Sequence, residues 1–261
     1  MNIIDVNTMI GQWGPKKLHY SGAGGLLLEM DRLGIARALV YDSRSRWYDA
    51  ARGNDLLLGQ TRGNGRLVPV MAATPLLQLE HGGAEKFVTY IRENGIGAVR
   101  LFPDEQNFTL YPWNIGELLE ILNAYRIPLM IECRSLADPL AAFWNNIREI
   151  MRAYPGVPVV LLTPGYRESR ILYQLFEAGS NLHADTSTFI AYEGIEEVVR
   201  LFGAERLLFG SGMPFIEAGA ALGRLLYAQI SRQDMEKIAF GNIEAMLERK
   251  NAALAGGEAR I

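Results

Sequence analysis

Disulfide chemistry has almost no material in this chain. Its 261 residues include one cysteine, Cys133, which excludes an internal disulfide framework and suits a reducing cytoplasm. Positive charge is not in excess either. With 26 Lys and Arg against 29 Asp and Glu, the net charge is −3, so electrostatics makes no case for nucleic acid or an acidic membrane surface as partner. No run of 18 apolar residues occurs, and no transmembrane helix is expected. The N-terminus is neither basic nor followed by a long apolar stretch, so no secretory signal is expected. Phosphate-binding and nucleophile-elbow motifs are also missing. Gly22-Ala23-Gly24-Gly25 lacks the P-loop lysine and does not directly follow a strand. Gly210-Ser211-Gly212 does not complete Gly-x-Ser-x-Gly.

What is present is a repeated strand–helix pattern. Short β-rich apolar runs fall at Ile3–Val6, Ala36–Tyr41, Leu67–Met71, Ala98–Phe102, Pro128–Glu132, Pro158–Leu162, Leu182–Asp185 and Arg206–Phe209. Amphipathic helical segments lie between them, among them Ala84–Glu93, Ile115–Tyr125, Leu140–Ala153 and Ile195–Phe202. Alternation of this kind implies parallel strands joined by right-handed crossovers. Eight units in a chain 49% hydrophobic predict an α/β protein with a single (β/α)8 TIM barrel, which typically takes about 250 residues. An open doubly wound sheet is the architectural alternative. The barrel is expected over residues 1–250, with a flexible tail over 251–261, rich in Ala and Gly. Gly34, Gly95, Gly179 and Gly203, each just before a strand, are read as left-handed helix C-caps. A last helical stretch, Ser231–Lys250, is expected to be capped by Ser231 with Asp234 and interrupted near Gly241-Asn242.

In such a barrel the working face lies at the C-terminal strand ends and the loops after them. Alternation along strands nominates Asn7 and Met9, Arg100, Glu132 with Arg134, Thr163, His183 with Asp185, and Ser211. A carboxylate at an enclosed strand end is costly unless paired, so Glu132 is either functional or half of an ion pair with Arg100 or Arg134. Asp185 either assists chemistry or holds the strand-seven loop. His183 reads more readily as a packing residue, and Cys133 as a neutral thiol facing away from the interior. Loop residues Trp13, Lys16, Lys17, His19, Tyr20, Arg44, Arg46, Trp47, Tyr48, Tyr111 and Trp113 either meet a planar or anionic ligand or pack on neighbouring loops or another subunit.

Several segments carry a family likeness. They are Ile3-Ile4-Asp5-Val6-Asn7, Arg66-Leu67-Val68-Pro69-Val70 through Thr74-Pro75, and Ile127-Pro128-Leu129-Met130-Ile131-Glu132. The most specific are Arg206-Leu207-Leu208-Phe209-Gly210-Ser211-Gly212-Met213-Pro214-Phe215 and Ile238-Ala239-Phe240-Gly241-Asn242. Nearly end to end, the chain resembles the amidohydrolase-related (amidohydrolase-2) proteins, metal-dependent (β/α)8 hydrolases and decarboxylases that often form dimers. The resemblance implies a barrel, a small-molecule partner and a homodimer, but its metal ligands do not carry over. The two first-strand histidines fall on Asn7 and Met9, the fifth-strand histidine on Glu132, the sixth-strand histidine on Thr163 and the eighth-strand aspartate on Gly212. A catalytic zinc needs about three protein ligands, so no metal and no cofactor are expected.

The function that follows is a metal-independent lactone or amide hydrolase acting on a small acidic molecule. Glu132 and Asp185 would be the catalytic pair. Asn7, Arg100, Arg134, Thr163 and Ser211 would bind a substrate bearing a carboxylate. The alternatives are a catalytically inactive pseudoenzyme, or a ligand-binding or structural subunit, on the same scaffold.

Overall fold

The computed structural model describes residues 1–14, 17–133 and 140–256. Eight strands, β1 (Ile4–Ile10), β2 (Arg37–Asp42), β3 (Leu67–Ala72), β4 (Ala98–Leu101), β5 (Leu129–Glu132), β6 (Val159–Leu162), β7 (Leu182–Asp185) and β8 (Leu207–Leu208), pair in chain order. Every pairing is parallel. The sheet closes on itself: Val6 N–H donates to the Phe209 carbonyl at 2.9 Å, Met9 N–H to that of Met213 at 3.0 Å, and Gly212 N–H to that of Asn7 at 3.0 Å. The chain is therefore a (β/α)8 barrel, and the open-sheet alternative falls.

Side-chain alternation divides the apolar residues into two shells. Val6, Met9, Leu39, Tyr41, Val70, Ala98, Met130, Val160, Leu162 and Leu208 fill the barrel interior. Val40, Met71, Val99, Leu129, Ile131, Val159, Leu161 and Ala184 face the helices. Helix Ala84–Glu93 shows why the outer layer forms: Phe87, Val88 and Ile91 make one buried stripe at helical spacing. Register slips between Asp5 and Thr8 in the β1–β2 pairing. This bulge is why Met9 joins Ile4 and Val6 in the interior although its position number has the opposite parity.

Strand ends differ from expectation mainly at the two closing strands. β1 runs on to Ile10, and β8 keeps only Leu207–Leu208, because Phe209 onwards turns its hydrogen bonds to β1 and to the Ile238 carbonyl. Gly34 is a left-handed cap with φ 69°, and Gly95 has φ 62°. Gly179 is instead extended, leading directly towards β7, and Gly203 has a positive φ outside the left-handed helical basin. Ser231 caps its helix, Oγ accepting from Asp234 N–H at 3.0 Å. The break near Gly241 is a π-helical turn, Lys237–Gly241, and the last helix continues over Asn242–Gly256. Residues 251–256 are therefore helical rather than a loose tail: Ala favours helix, and Leu254 is buried. Asn242 Nδ2 donates to the carbonyls of Ala204 and Leu207, each at 2.8 Å, which ties this helix to β8. No helix among the described residues is long and apolar enough to cross a membrane.

Candidate active site at the barrel mouth

A cavity of about 360 Å³ opens above the strand ends. Met9, Trp13, Tyr41, Met213, Phe215 and Ile216 give its apolar wall, and Asn7, Arg46, Arg100, Glu132, Thr163 and Thr188 its polar wall. Trp13 stands edge-on to both Trp47 (4.8 Å between centroids) and Phe215 (4.4 Å).

The polar groups form one ladder. Glu132, last residue of β5, accepts from Arg100 Nη2 at 2.5 Å. It also accepts from Arg46 Nη1 at 3.0 Å, and its second oxygen lies 2.8 Å from Arg46 Nη2. Arg46 in turn donates through Nε to Glu105 at 2.7 Å, with a second contact from Nη2. Arg100, 2% exposed, donates through Nη1 to Asn7 Oδ1 at 3.1 Å. Asn7 Nδ2 donates to Asp185 Oδ2 at 2.8 Å. Rings line the cations: the Arg100 guanidinium lies 4.3 Å from the Tyr41 ring centre and that of Arg46 about 5 Å from Trp13, Trp47 and Phe102.

Local sequence explains how Arg46 arrives there. Asp42 closes β2 and caps the short helix Ser43–Trp47, its carboxylate accepting from Arg44 N–H at 3.0 Å. The same carboxylate clamps the Arg44 guanidinium at 2.8 and 2.6 Å, which holds Arg44 back at the cap while Arg46 goes to Glu132 and Glu105. Glu105 follows Pro103, which opens the turn Pro103–Gln106 after β4.

Burial pushes the Glu132 carboxyl up, but the Arg100 and Arg46 guanidiniums outweigh it, and its pKa lies below the ordinary value. Burial likewise opposes the charge on Arg46, yet Glu132, Tyr41 and Glu105 raise its pKa. Asp185 is fully buried and pushed up to about 6 by desolvation, against hydrogen bonds from Asn7, Ser187 and Thr163. Asp5 reaches about 7 for the same leading reason.

The nominated residues separate into those at the cavity and those behind it. Asn7, Arg100, Glu132 and Thr163 line it. Asp185 supports it from beneath: its Oδ1 accepts from Thr163 N–H at 2.7 Å and Ser187 Oγ at 3.1 Å. Ser211 is not at the cavity: its N–H donates to Asp5 at 3.0 Å and its Oγ accepts from Met213 N–H at 3.1 Å. The β8–β1 closure claims it, which no spacing rule announces. Arg134 and Lys16 lie outside the described residues. His183 sits at the opposite end of β7, Nδ1 2.8 Å from the Glu205 carbonyl, and burial lowers its pKa to about 4. Cys133 packs in the outer shell, where burial keeps it a neutral thiol. The sequence marks Arg46 only as a loop cation and does not single out Tyr41 or Glu105. Alternation from Leu39 would have found Tyr41; Glu105 has no local signal.

The positions that the resemblance gives to metal ligands do not suit a metal. Asn7 offers an amide already bonded to Arg100 and Asp185, Met9 a thioether, and Glu132 a carboxylate shared by two guanidiniums. A Cβ at Gly212 (φ 74°) would stand 2.8 Å from Ile216 Cδ1, so a carboxylate there meets both strain and a clash. The Arg100 guanidinium occupies the space between the first- and fifth-strand positions. Among the described residues no group of three or more His, Cys, Asp and Glu is arranged to hold an ion.

Comparison with known proteins places this architecture. No curated protein matches the chain in sequence. An uncharacterised TIM-barrel protein from Bordetella bronchiseptica superposes with a TM-score of 0.73 at 17% identity, covering 96% of this chain and 99% of its own. A 2,6-dihydroxybenzoate decarboxylase from Rhizobium gives 0.71 at 15%, with 95% and 98% covered. A 5-carboxyvanillate decarboxylase from Novosphingobium aromaticivorans, with bound manganese, gives 0.76 at 15%, with 95% and 97% covered. At these identities the likeness is one of fold. The amidohydrolase family model matches residues 31–249, and the chain belongs to that family.

Proposed function

We propose that this protein binds a small, planar, uncharged molecule at the barrel mouth and does not use the cavity for hydrolysis. This is the ligand-binding alternative among the expectations from sequence. The observation that carries it is the closed ladder Glu105–Arg46–Glu132–Arg100. A general base must offer a free lone pair and a pKa near the working pH. Glu132 has both oxygens held by guanidiniums, three of its roughly four acceptor sites being engaged, and a lowered pKa. Asp185 has the better pKa, about 6, but no face on the cavity.

Charge argues for the ligand class. Two arginines and two glutamates in mutual contact sum to zero, so a ligand carboxylate would bring an uncompensated charge into a half-enclosed site. Size argues for one ring. An engineered cavity of about 150 Å³ holds benzene, and about 360 Å³ leaves room for substituents. The aromatic acids in the names of the two decarboxylases support a ring-sized occupant, while the internal Glu132 distinguishes this cavity as one suited to a ring without the acid.

The test compares resorcinol with 2,6-dihydroxybenzoate by titration calorimetry. Resorcinol is expected to bind at least about tenfold more tightly, the effect of ~1.4 kcal/mol. Tighter binding of the carboxylate overturns the proposal. So does lactone or amide turnover by the wild type that folded Glu132→Gln lacks.

A further inference from the structure

We propose that a second cavity, next to the mouth, is a ligand site for an aromatic α-amino acid in its zwitterionic form. Its volume is about 890 Å³, within the range of roughly 300–1,000 Å³ usual for small-molecule sites. The proposal does not depend on the ligand of the mouth: among the described residues, Trp13 alone lines both cavities. Two helices build the wall. Ser43–Trp47 and Ala50–Thr61 meet at Gly53, where any Cβ would collide with the Ser45 backbone. Trp47 and Tyr48 end the first helix, Leu56 lies on the second, and Trp13 follows β1; all four line the cavity. Trp13 holds Trp47 edge-on at 4.8 Å between centroids. Even so, Trp47 is 51% and Tyr48 85% exposed. Adjoining exposed rings of this kind mark interaction sites, and they offer stacking contact to another ring.

Two charges on this wall are unspent, unlike those of the mouth. Arg44 is answered by Asp42, which takes its Nε at 2.8 Å and its Nη2 at 2.6 Å. Asp49 and Arg52, three positions apart at the start of the second helix, are exposed and also line the cavity. Asp49 Oδ1 accepts from Arg52 N–H at 2.9 Å and so caps the helix. Among the described residues, Asp49 Oδ2 and the Arg52 guanidinium make no hydrogen bond or ion pair, with each other or elsewhere. An α-amino acid carries the matching groups, a carboxylate for Arg52 and an ammonium for Asp49. Its zero net charge suits a wall on which Arg44 and Arg52 balance Asp42 and Asp49. A simple anion would answer Arg52 and meet Asp49 unfavourably, and a simple cation the reverse. The aromatic side chain then lies against Trp13, Trp47 and Tyr48.

The experiment is titration calorimetry near neutral pH with L-tryptophan, with tryptamine, which lacks the carboxylate, and with 3-indolepropionate, which lacks the ammonium. Wild type, Asp49→Asn, Arg52→Gln and Tyr48→Ala are compared. The three replaced residues are exposed, and asparagine keeps the helix cap, so each variant is expected to fold. Wild type is expected to bind tryptophan roughly 2–5-fold more tightly than either analogue, the range of an exposed ion pair. Asp49→Asn should abolish the advantage over 3-indolepropionate and keep that over tryptamine. Arg52→Gln should do the opposite. Tyr48→Ala should weaken all three probes roughly 2–10-fold through lost stacking. An analogue that binds as tightly as tryptophan, a preference unmoved by its matching variant, or no binding of any probe overturns the proposal. Unaltered affinities in Tyr48→Ala also overturn it, since the ligand would then lie elsewhere.

Discussion

Replacing Glu132 by Gln isolates the ladder on which the functional reading rests. The isosteric amide keeps the shape and removes the charge. Arg100 is then a guanidinium at 2% exposure with only neutral acceptors among the described residues, Asn7 Oδ1 and the new amide oxygen, and its Nε has no partner there. Removing one partner of a buried ion pair costs about 3–5 kcal/mol because the other charge stays buried. In a chain of this size about 1 kcal/mol moves the thermal midpoint by ~2–4 °C, so a drop on the order of 10 °C is expected by circular dichroism. Glu105→Gln should cost less, since Arg46 keeps Glu132. Arg100→Met with Glu132→Met should recover much of the loss, as replacing a whole buried pair often does. The pH dependence has a fixed sign. Glu132 has a folded pKa below the ordinary 4.5, so its contribution is present above about pH 4.5 and disappears as pH falls through the folded value. The gap between wild type and Glu132→Gln should therefore close in acid. A loss under ~1 kcal/mol near neutral pH, or a gap that widens in acid, would refute the reasoning.

Other expectations can be measured in the same way. Asp5 and Asp185 have pKa values raised to about 7 and 6, so the folded state holds protons that the unfolded chain releases near pH 4; Asp5→Asn should flatten the resulting decline in stability between about pH 4 and 7 in urea titrations. Lys250, 3% exposed, donates to the Ile96 carbonyl and is pushed down to about 8 by burial. Stability should therefore rise as pH climbs from about 8 to 10.5, and Lys250→Met should remove that rise, worth up to ~3 kcal/mol at 1.36 kcal/mol per pKa unit. Gly212→Asp should lower stability by at least ~1–2 kcal/mol through its left-handed backbone, and elemental analysis after incubation with manganese should find the variant no better loaded than wild type; stoichiometric manganese in either would refute the donor-set argument.

The repeating strand–helix pattern, and with it the barrel, is legible in the chain alone. Period-two apolar runs and period-3.6 helices are local properties, and helices Ala84–Glu93 and Leu140–Ala153 appear with the bounds read from the chain. The chain also shows which residue types stand at the strand ends, and the family resemblance implies that Asn7, Met9, Thr163 and Gly212 fall where that family carries metal ligands. Which partners those residues meet depends on contacts between distant parts of the chain. The bulge in β1 shifted its parity, and the β8 closure took Ser211 out of the cavity. A five-residue helix capped by Asp42 delivered Arg46 to a glutamate 86 positions away. Whether Glu132 is a base or half of an ion pair was open in the sequence because a carboxylate's chemistry is set by the charges that surround it, and those came from three separate strand ends and loops. The same holds for Thr163, whose N–H is taken by Asp185 from the neighbouring strand.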